Sequence, residues 1–284
     1  MTHPNWKRRS SRAERLRADH PHAEELLLFY SQILALQEPL YVKARRSKWL
    51  ARVRSTAGED GPRLHLERLV GRTRDVSFQR FVHEAGTVST DVLAGIAEQV
   101  ASRKGASRTL LQTFLSGGAL DDLAVSFDCK TPPLAFFPRA FVQPIAEALS
   151  EQAMRSEDNG PGSTAMRCPQ CDWPPLLALL RDEPEVKGRK LLVCSLCSAE
   201  WPFVRSRCPS CGEERPEQLQ HHVTEFWPHI RIEECSSCHT YLKSIDLRLD
   251  GTVVPVVDEL ASVELDLWAD EQGLTKIQKN LLGL

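Results

Sequence analysis

No run of this sequence reaches the ~18 consecutive apolar residues that a membrane-spanning helix needs, so membrane insertion is not expected. The basic opening, MTHPNWKRRSSRAERL, has no apolar segment behind it. That excludes a secretory signal and leaves Arg8-Arg9 without the setting of a twin-arginine signal. The formal net charge is only −2, so no strong overall field marks a polyanion or polycation partner. There is no HExxH, no glycine-rich phosphate loop and no convincing nucleophile triad. Strand-like alternation is scarce before residue 155, and the apolar stripes there contain no cofactor box. The chain reads as a cytoplasmic protein that is not an enzyme.

Against these absences stands a concentration of cysteine. Eight of nine cysteines form four CxxC pairs: Cys168/Cys171, Cys194/Cys197, Cys208/Cys211 and Cys235/Cys238. Two residues between cysteines let one tight turn aim both sulfurs at one point, and two such turns make a tetrahedral S4 cage. The gaps group the pairs. There are 22 residues between Cys171 and Cys194 and 23 between Cys211 and Cys235. Arg-Cys-Pro-Gln-Cys at 167–171 is echoed by Arg-Cys-Pro-Ser-Cys at 207–211. A shift of 40 or 41 residues superposes the two halves, the mark of an internal repeat. The repeat predicts one site from Cys168, Cys171, Cys194 and Cys197 and a second from Cys208, Cys211, Cys235 and Cys238. The rival pairing joins the two inner pairs, leaving the outer pairs to meet each other.

In a reducing cytoplasm, cysteine clusters bind metal more often than they form disulfides. A redox CxxC is usually single and opens a helix, so disulfide and thiol-catalytic readings rank behind metal. The cofactors expected are two mononuclear ions, iron or zinc, since an S4 tetrahedron suits either. With four thiolates bound, no coordination position is open to substrate, and the sites are structural or electron-carrying. Such modules bury little apolar surface of their own, and the metal supplies folding energy. His221, His222, His229 and His239 are read as non-ligands, and Cys129 as a small buried hydrophobe. Residues 168–250 hold ten Lys/Arg against thirteen Asp/Glu, which disfavours nucleic acid.

The expected fold class is α+β: an N-terminal helical bundle, two tandem rubredoxin-like or zinc-ribbon metal modules and a C-terminal helix. Boundaries fall at 1–155 for the helical domain (1–18 a flexible arm), 156–166 for a polar linker, 167–206 and 207–250 for the metal modules, and 251–284 for a closing turn and helix. Helices are predicted at His22–Arg46 (kinked or split at Pro39), Asp91–Lys104, Arg108–Leu115, Asp121–Phe127, Pro138–Met154 and Asp258–Gln272. Strands are predicted at Lys190–Val193, Gln220–Glu225, Ile230–Glu234 and Tyr241–Arg248. Trp201 and Trp227, large aromatics within metal-stapled loops, are candidate partner-binding residues, or else pack over their own cages.

The block CSLCSAEWPFVRSRCPSCG (Cys194 to Gly212), the segment ECSSCHTYLKSIDL (Glu234 to Leu247) and the acidic DELASVELDLWADEQG after it resemble the FdhE family, as does RCPQCDWPP around the first pair. The likeness runs from about residue 160 to the C-terminus. It implies a cytoplasmic accessory protein needed to form or activate formate dehydrogenase, with that enzyme's catalytic subunit as partner. It also implies rubredoxin-like iron at the cysteine motifs. An electron carrier serving a partner enzyme is the alternative.

Overall fold

In the computed structural model, described for residues 4–47, 53, 63–69, 71–154 and 165–284, a helical region is followed by one mixed sheet and closing helices. The helical region comprises α1 (Pro4–Asp19), α2 (Glu24–Arg46), α3 (Arg72–Thr87), α4 (Asp91–Ser102), α5 (Ala106–Leu115), α6 (Asp121–Ser126) and α7 (Thr131–Met154). α2 and α7 pack together. Gln37 donates to the Ala140 carbonyl at 2.8 Å, and the Tyr41 hydroxyl donates to Glu151 at 2.6 Å.

The expected free arm is instead helix α1. Its Trp6, Ala13 and Leu16 are buried in the core. Arg9 makes a bidentate pair with Glu147 on α7 (2.8 and 3.0 Å). Arg12 reaches Asp258 near the other end of the chain. The segment looked like a solvated tail because charged residues far outnumber its three buried apolar ones, and the partners of Arg9 and Arg12 lie far away in sequence. Pro39 does not split α2, which runs on to Arg46; buried Leu34 and Tyr41 on either side hold it in place. Most of the polar segment expected as a linker lies outside the described residues.

The sheet is built from β1 (Pro175–Arg181), β2 (Arg189–Cys194), β3 (Glu200–Pro202), β4 (Leu219–Val223), β5 (Ile230–Cys235) and β6 (Thr240–Asp246), in the order β3-β2-β1-β6-β5-β4. A short β7 (Thr275–Lys276) pairs with β6. Each half of the repeat contributes three strands. They merge because β1 and β6 pair in parallel, Leu177 opposite Lys243 through Leu180 opposite Asp246. β1 was absent from the sequence-based strands for a physical reason: PLLALLR is a continuous apolar run with no alternation. Five of its six leading residues are leucine or alanine, and all six are buried, as befits a central strand covered on both faces.

The closing segment forms two helices, α8 (Pro255–Ala261) and α9 (Val263–Glu271), broken at Ser262. Beneath them lies a buried ionic network. Lys243 of β6 contacts Asp266 at 2.7 Å and Glu259 at 3.3 Å, while Lys276 of β7 contacts Asp266 at 2.8 Å and also Glu259. Two cations face two carboxylates, so neither sign is left unpaired where burial would make it costly.

Candidate metal centres

The eight paired cysteines gather into two clusters, Cys168/Cys171/Cys194/Cys197 and Cys208/Cys211/Cys235/Cys238, each with all four sulfurs within 4.8 Å of one another. This is the sequential grouping; the inner pairs do not join. In the first cluster, Sγ–Sγ distances are 3.6 Å (Cys168–Cys197), 3.4 Å (Cys171–Cys194) and 3.5 Å (Cys171–Cys197). In the second they are 3.8 Å (Cys208–Cys238) and 3.7 Å (Cys211–Cys235). A disulfide requires about 2.05 Å. A tetrahedron with metal–sulfur bonds of about 2.3 Å has edges of about 3.8 Å. The sulfurs are therefore too far apart for bridges and close to the spacing of a thiolate cage, and both clusters could hold a metal ion.

The turns that present these sulfurs repeat one backbone device. The residue after the second cysteine of each pair is left-handed in all four cases: Asp172 (φ 59°), Ser198 (56°), Gly212 (80°) and His239 (54°). In the first and third turns the backbone closes the same way. Asp172 N–H donates to the Cys168 carbonyl at 2.8 Å, and Gly212 N–H donates to the Cys208 carbonyl at 3.0 Å. Backbone N–H groups also point at sulfur: Gln170 to Cys168 (3.4 Å), Leu196 to Cys194 (3.4 Å) and Ser210 to Cys208 (3.3 Å). Such donors favour the charged thiolate over the thiol. Only Gly212 advertises the left-handed position in sequence; three non-glycine residues occupy the others.

The two clusters differ in their surroundings. All four cysteines of the first are buried, whereas in the second Cys211 is exposed and Cys238 half-buried. The first lies against α7, from which Arg139, itself buried, donates to the carbonyls of Ser195 (3.3 Å), Lys279 (2.7 Å) and Asn280 (2.8 Å). Burial pulls the Arg139 guanidinium down to about 10, with negative Cys194 and Glu259 opposing. It stays cationic at neutral pH beside the first cluster. In the second cluster, burial pushes Cys235 up to about 12. Burial also acts to raise Cys238, but the Thr240 hydroxyl at 3.1 Å and neighbouring sulfurs bring it down to about 7. Arg139 and Thr240 were not among the sequence candidates: one lies far upstream on a helix, the other is a common strand residue.

Trp201 and Trp227, read from sequence either as partner-binding residues or as packing over their own cages, are each only 1 % exposed. Trp201, on β3, donates its indole N–H to the Ala165 carbonyl at 2.8 Å. Trp227 stacks on His20 at 4.1 Å between centroids and donates to Glu264. Neither ring forms a contact surface; each fills an internal seam, which an indole is large enough to do. No histidine belongs to either cluster among the described residues; His222 instead meets Glu234 at 2.7 Å. Cys129 is half-buried and packs against the core. A cleft of about 320 Å³ lies between α1, α7, α8 and the first cluster, lined by Arg8, Arg9, Glu147, Leu179, Cys197 and Ser198 among others. Among the described residues, no helix is long and apolar enough to cross a membrane.

Comparison with known proteins places these features. Residues 167–205 match the family model "FdhE, central domain", and residues 206–282 match "FdhE, C-terminal domain". A protein named FdhE homolog from Aquifex aeolicus is 33% identical over 175 residues, covering 62% of this chain and 57% of that relative. A Pseudomonas putida protein of the same name is 33% identical over 128 residues, 43% of this chain and 40% of the relative. The match thus spans about half the length of these relatives. The crystal structure of the FdhE protein from Pseudomonas aeruginosa shares the fold, with a TM-score of 0.67 at 22% identity over 99% of this chain and 97% of that one.

Proposed function

Because the chain belongs to the FdhE family through residues 167–282, we propose that it is a non-catalytic, cytoplasmic accessory protein in the formation or activation of formate dehydrogenase, and that it binds that enzyme's catalytic subunit. The observation that carries this reading is the pair of cysteine clusters. Each has four sulfurs at cage spacing within the segment the family models match. Cys168, Cys171, Cys194 and Cys197 would hold one ion, and Cys208, Cys211, Cys235 and Cys238 the other. Four thiolates fill a tetrahedron and leave no position for substrate, which fits a protein that grips rather than transforms.

On this reading the first site is a structural staple. Its sulfurs are buried beside α7, and a metal held by them would fix the sheet against the helical region. Iron is the ion implied by the family resemblance, and zinc fits the same donors. A tagged, metal-loaded protein should retain the catalytic subunit of formate dehydrogenase from an extract. Loss of that capture in wild-type protein carrying two ions per chain would end the proposal.

The second reading is an electron carrier, and the exposure of Cys211 favours it, since a one-electron site must lie near the surface to meet its partner. Iron at the second cluster supplies one-electron chemistry when bound. Reversible bleaching of a visible thiolate-to-iron band on reduction would support it; a colourless, zinc-filled protein that still captures the partner would leave only the binding role.

A further inference from the structure

We propose that the outer edge of β4, with Val223 and Phe226 at its end, is a docking strip for an extended, basic segment of a partner protein, which adds to the sheet as a further strand. The inference rests on the binding role above and names the surface and the chemistry of what it binds.

The sheet ends in β3 on one side and β4 on the other. The two edges are finished differently. β3 is three residues long with Trp201 and Pro202 buried. β4 is five residues long, LQHHV, and its sole strand partner among the described residues is β5. An open edge offers unpaired backbone groups to another chain, and proteins usually guard it with lysine, proline, a bulge or a cover. β4 has none of these: Gln220, His221 and Val223 are exposed, and its register with β5 is unbroken from Leu219 opposite Cys235 to Val223 opposite Arg231. At its end Val223 is 79 % exposed, and Phe226, three residues on, is 85 % exposed, the two apolar side chains a bound strand would cover. Side-chain contacts give specificity when main-chain bonds give affinity.

Charge selects the occupant. Of the six glutamates between residues 213 and 239, Glu213 meets Arg215, Glu214 meets Arg207, Glu233 meets Lys190 and Arg231, and Glu234 meets His222; the exposed Glu217 and Glu225 are left to face a partner. Glu217 and Glu225 flank the strand, and the second cysteine cluster, whose four thiolates would outweigh a divalent ion bound there, lies across from Leu219 at Cys235. Two copies of such an edge would repel, so a second copy of this chain is disfavoured. A segment alternating arginine or lysine with apolar residues matches both the exposed side chains and the field.

The test uses the metal-loaded full chain and two labelled octapeptides of alternating pattern, one arginine–valine and one glutamate–valine. Fluorescence anisotropy should show binding of the basic peptide alone, weakened by added salt, and hydrogen exchange should show new protection at the β4 amides. V223K/F226K should weaken binding about tenfold or more with metal content and melting temperature unchanged. Equal binding of both peptides, binding without β4 protection, or peptide-free dimers protected at β4 would each overturn the proposal. If the wild type captures the catalytic subunit and V223K/F226K captures it equally well, the docking strip falls while the accessory role stands.

Discussion

The guanidinium of Arg139 on α7 donates to the carbonyl of Ser195, the residue that follows Cys194 in the second turn of the first cluster, at 3.3 Å. The same side chain holds the carbonyls of Lys279 and Asn280. One residue of the helical region therefore ties together a metal turn and the end of the chain. Replacing Arg139 with alanine leaves buried acceptors unpaired, at about 1–3 kcal/mol each. A total loss of about 3 kcal/mol or more is expected in urea unfolding. Lysine should restore only part of it, because its ammonium cannot fork among three carbonyls. A loss below about 0.5 kcal/mol for Arg139→Ala, the range of ordinary surface changes, would show that the link is incidental.

Burial predicts the order in which the metals leave. The first cluster is sealed, and the second exposes Cys211. With a chelator in excess, release should be biphasic, the second site emptying first. Cys211→Ser should lower the metal content from two ions per chain to one with the helical region still folded. Cys171→Ser, whose sulfur is buried, should cost far more stability, because structural metal binding is folding energy. Equal release rates from both sites would contradict this, as would full metal content in either variant.

How far the sequence foretold this depended on where each residue's partners lie. The cysteine clusters were legible because their spacing is local: a CxxC needs only its own turn, and the 22- and 23-residue gaps paired the turns. α1 was not legible, because Arg12 docks on Asp258, 246 residues away, and no local pattern distinguishes a charged helix from a solvated tail. β1 was hidden by its own centrality, as a strand buried on both faces loses the alternation that marks strands. α3 was overlooked although Phe78, Phe81, Val82 and Ala85, all buried, follow helical spacing. The tryptophans were open to two readings, because size suits an indole equally to an interface and to a seam, and both rings are buried.

The ionic network under α8 and α9 sets an acid limit. Burial would raise the Glu259 carboxyl, but Lys243 and Lys276 outweigh it and hold the group at about 2, against a usual 4.5. A depressed carboxylate stabilises the fold above its unfolded value and loses that contribution as pH falls through the folded one. The stability gap between wild type and Glu259→Gln should therefore be full above pH 4.5 and close as pH falls toward 2. Removing one partner of a buried ion pair costs about 3–5 kcal/mol, which sets its size. Urea midpoints measured across that window check the sign; a gap that widens on acidification would contradict it.

The four left-handed turns allow a comparison within one molecule. His239 is exposed and adopts φ 54°, a conformation that costs a residue with a Cβ about 1–2 kcal/mol. Glycine avoids that cost but loses more backbone entropy on folding, about 0.5–1 kcal/mol. The first effect is the larger, so His239→Gly should stabilise the protein by about 0.5 kcal/mol. It should leave the metal content at two, since the imidazole is not a ligand. His239→Val adds β-branching at the same angle and should destabilise the second site, accelerating its metal loss while the first site is unaffected. At the equivalent Gly212 (φ 80°), alanine should do the reverse of His239→Gly, because the Cβ penalty is introduced rather than removed. If His239→Gly instead lowered the metal content, the imidazole would have to be counted among the ligands, and the closed thiolate cage at the second site would be wrong.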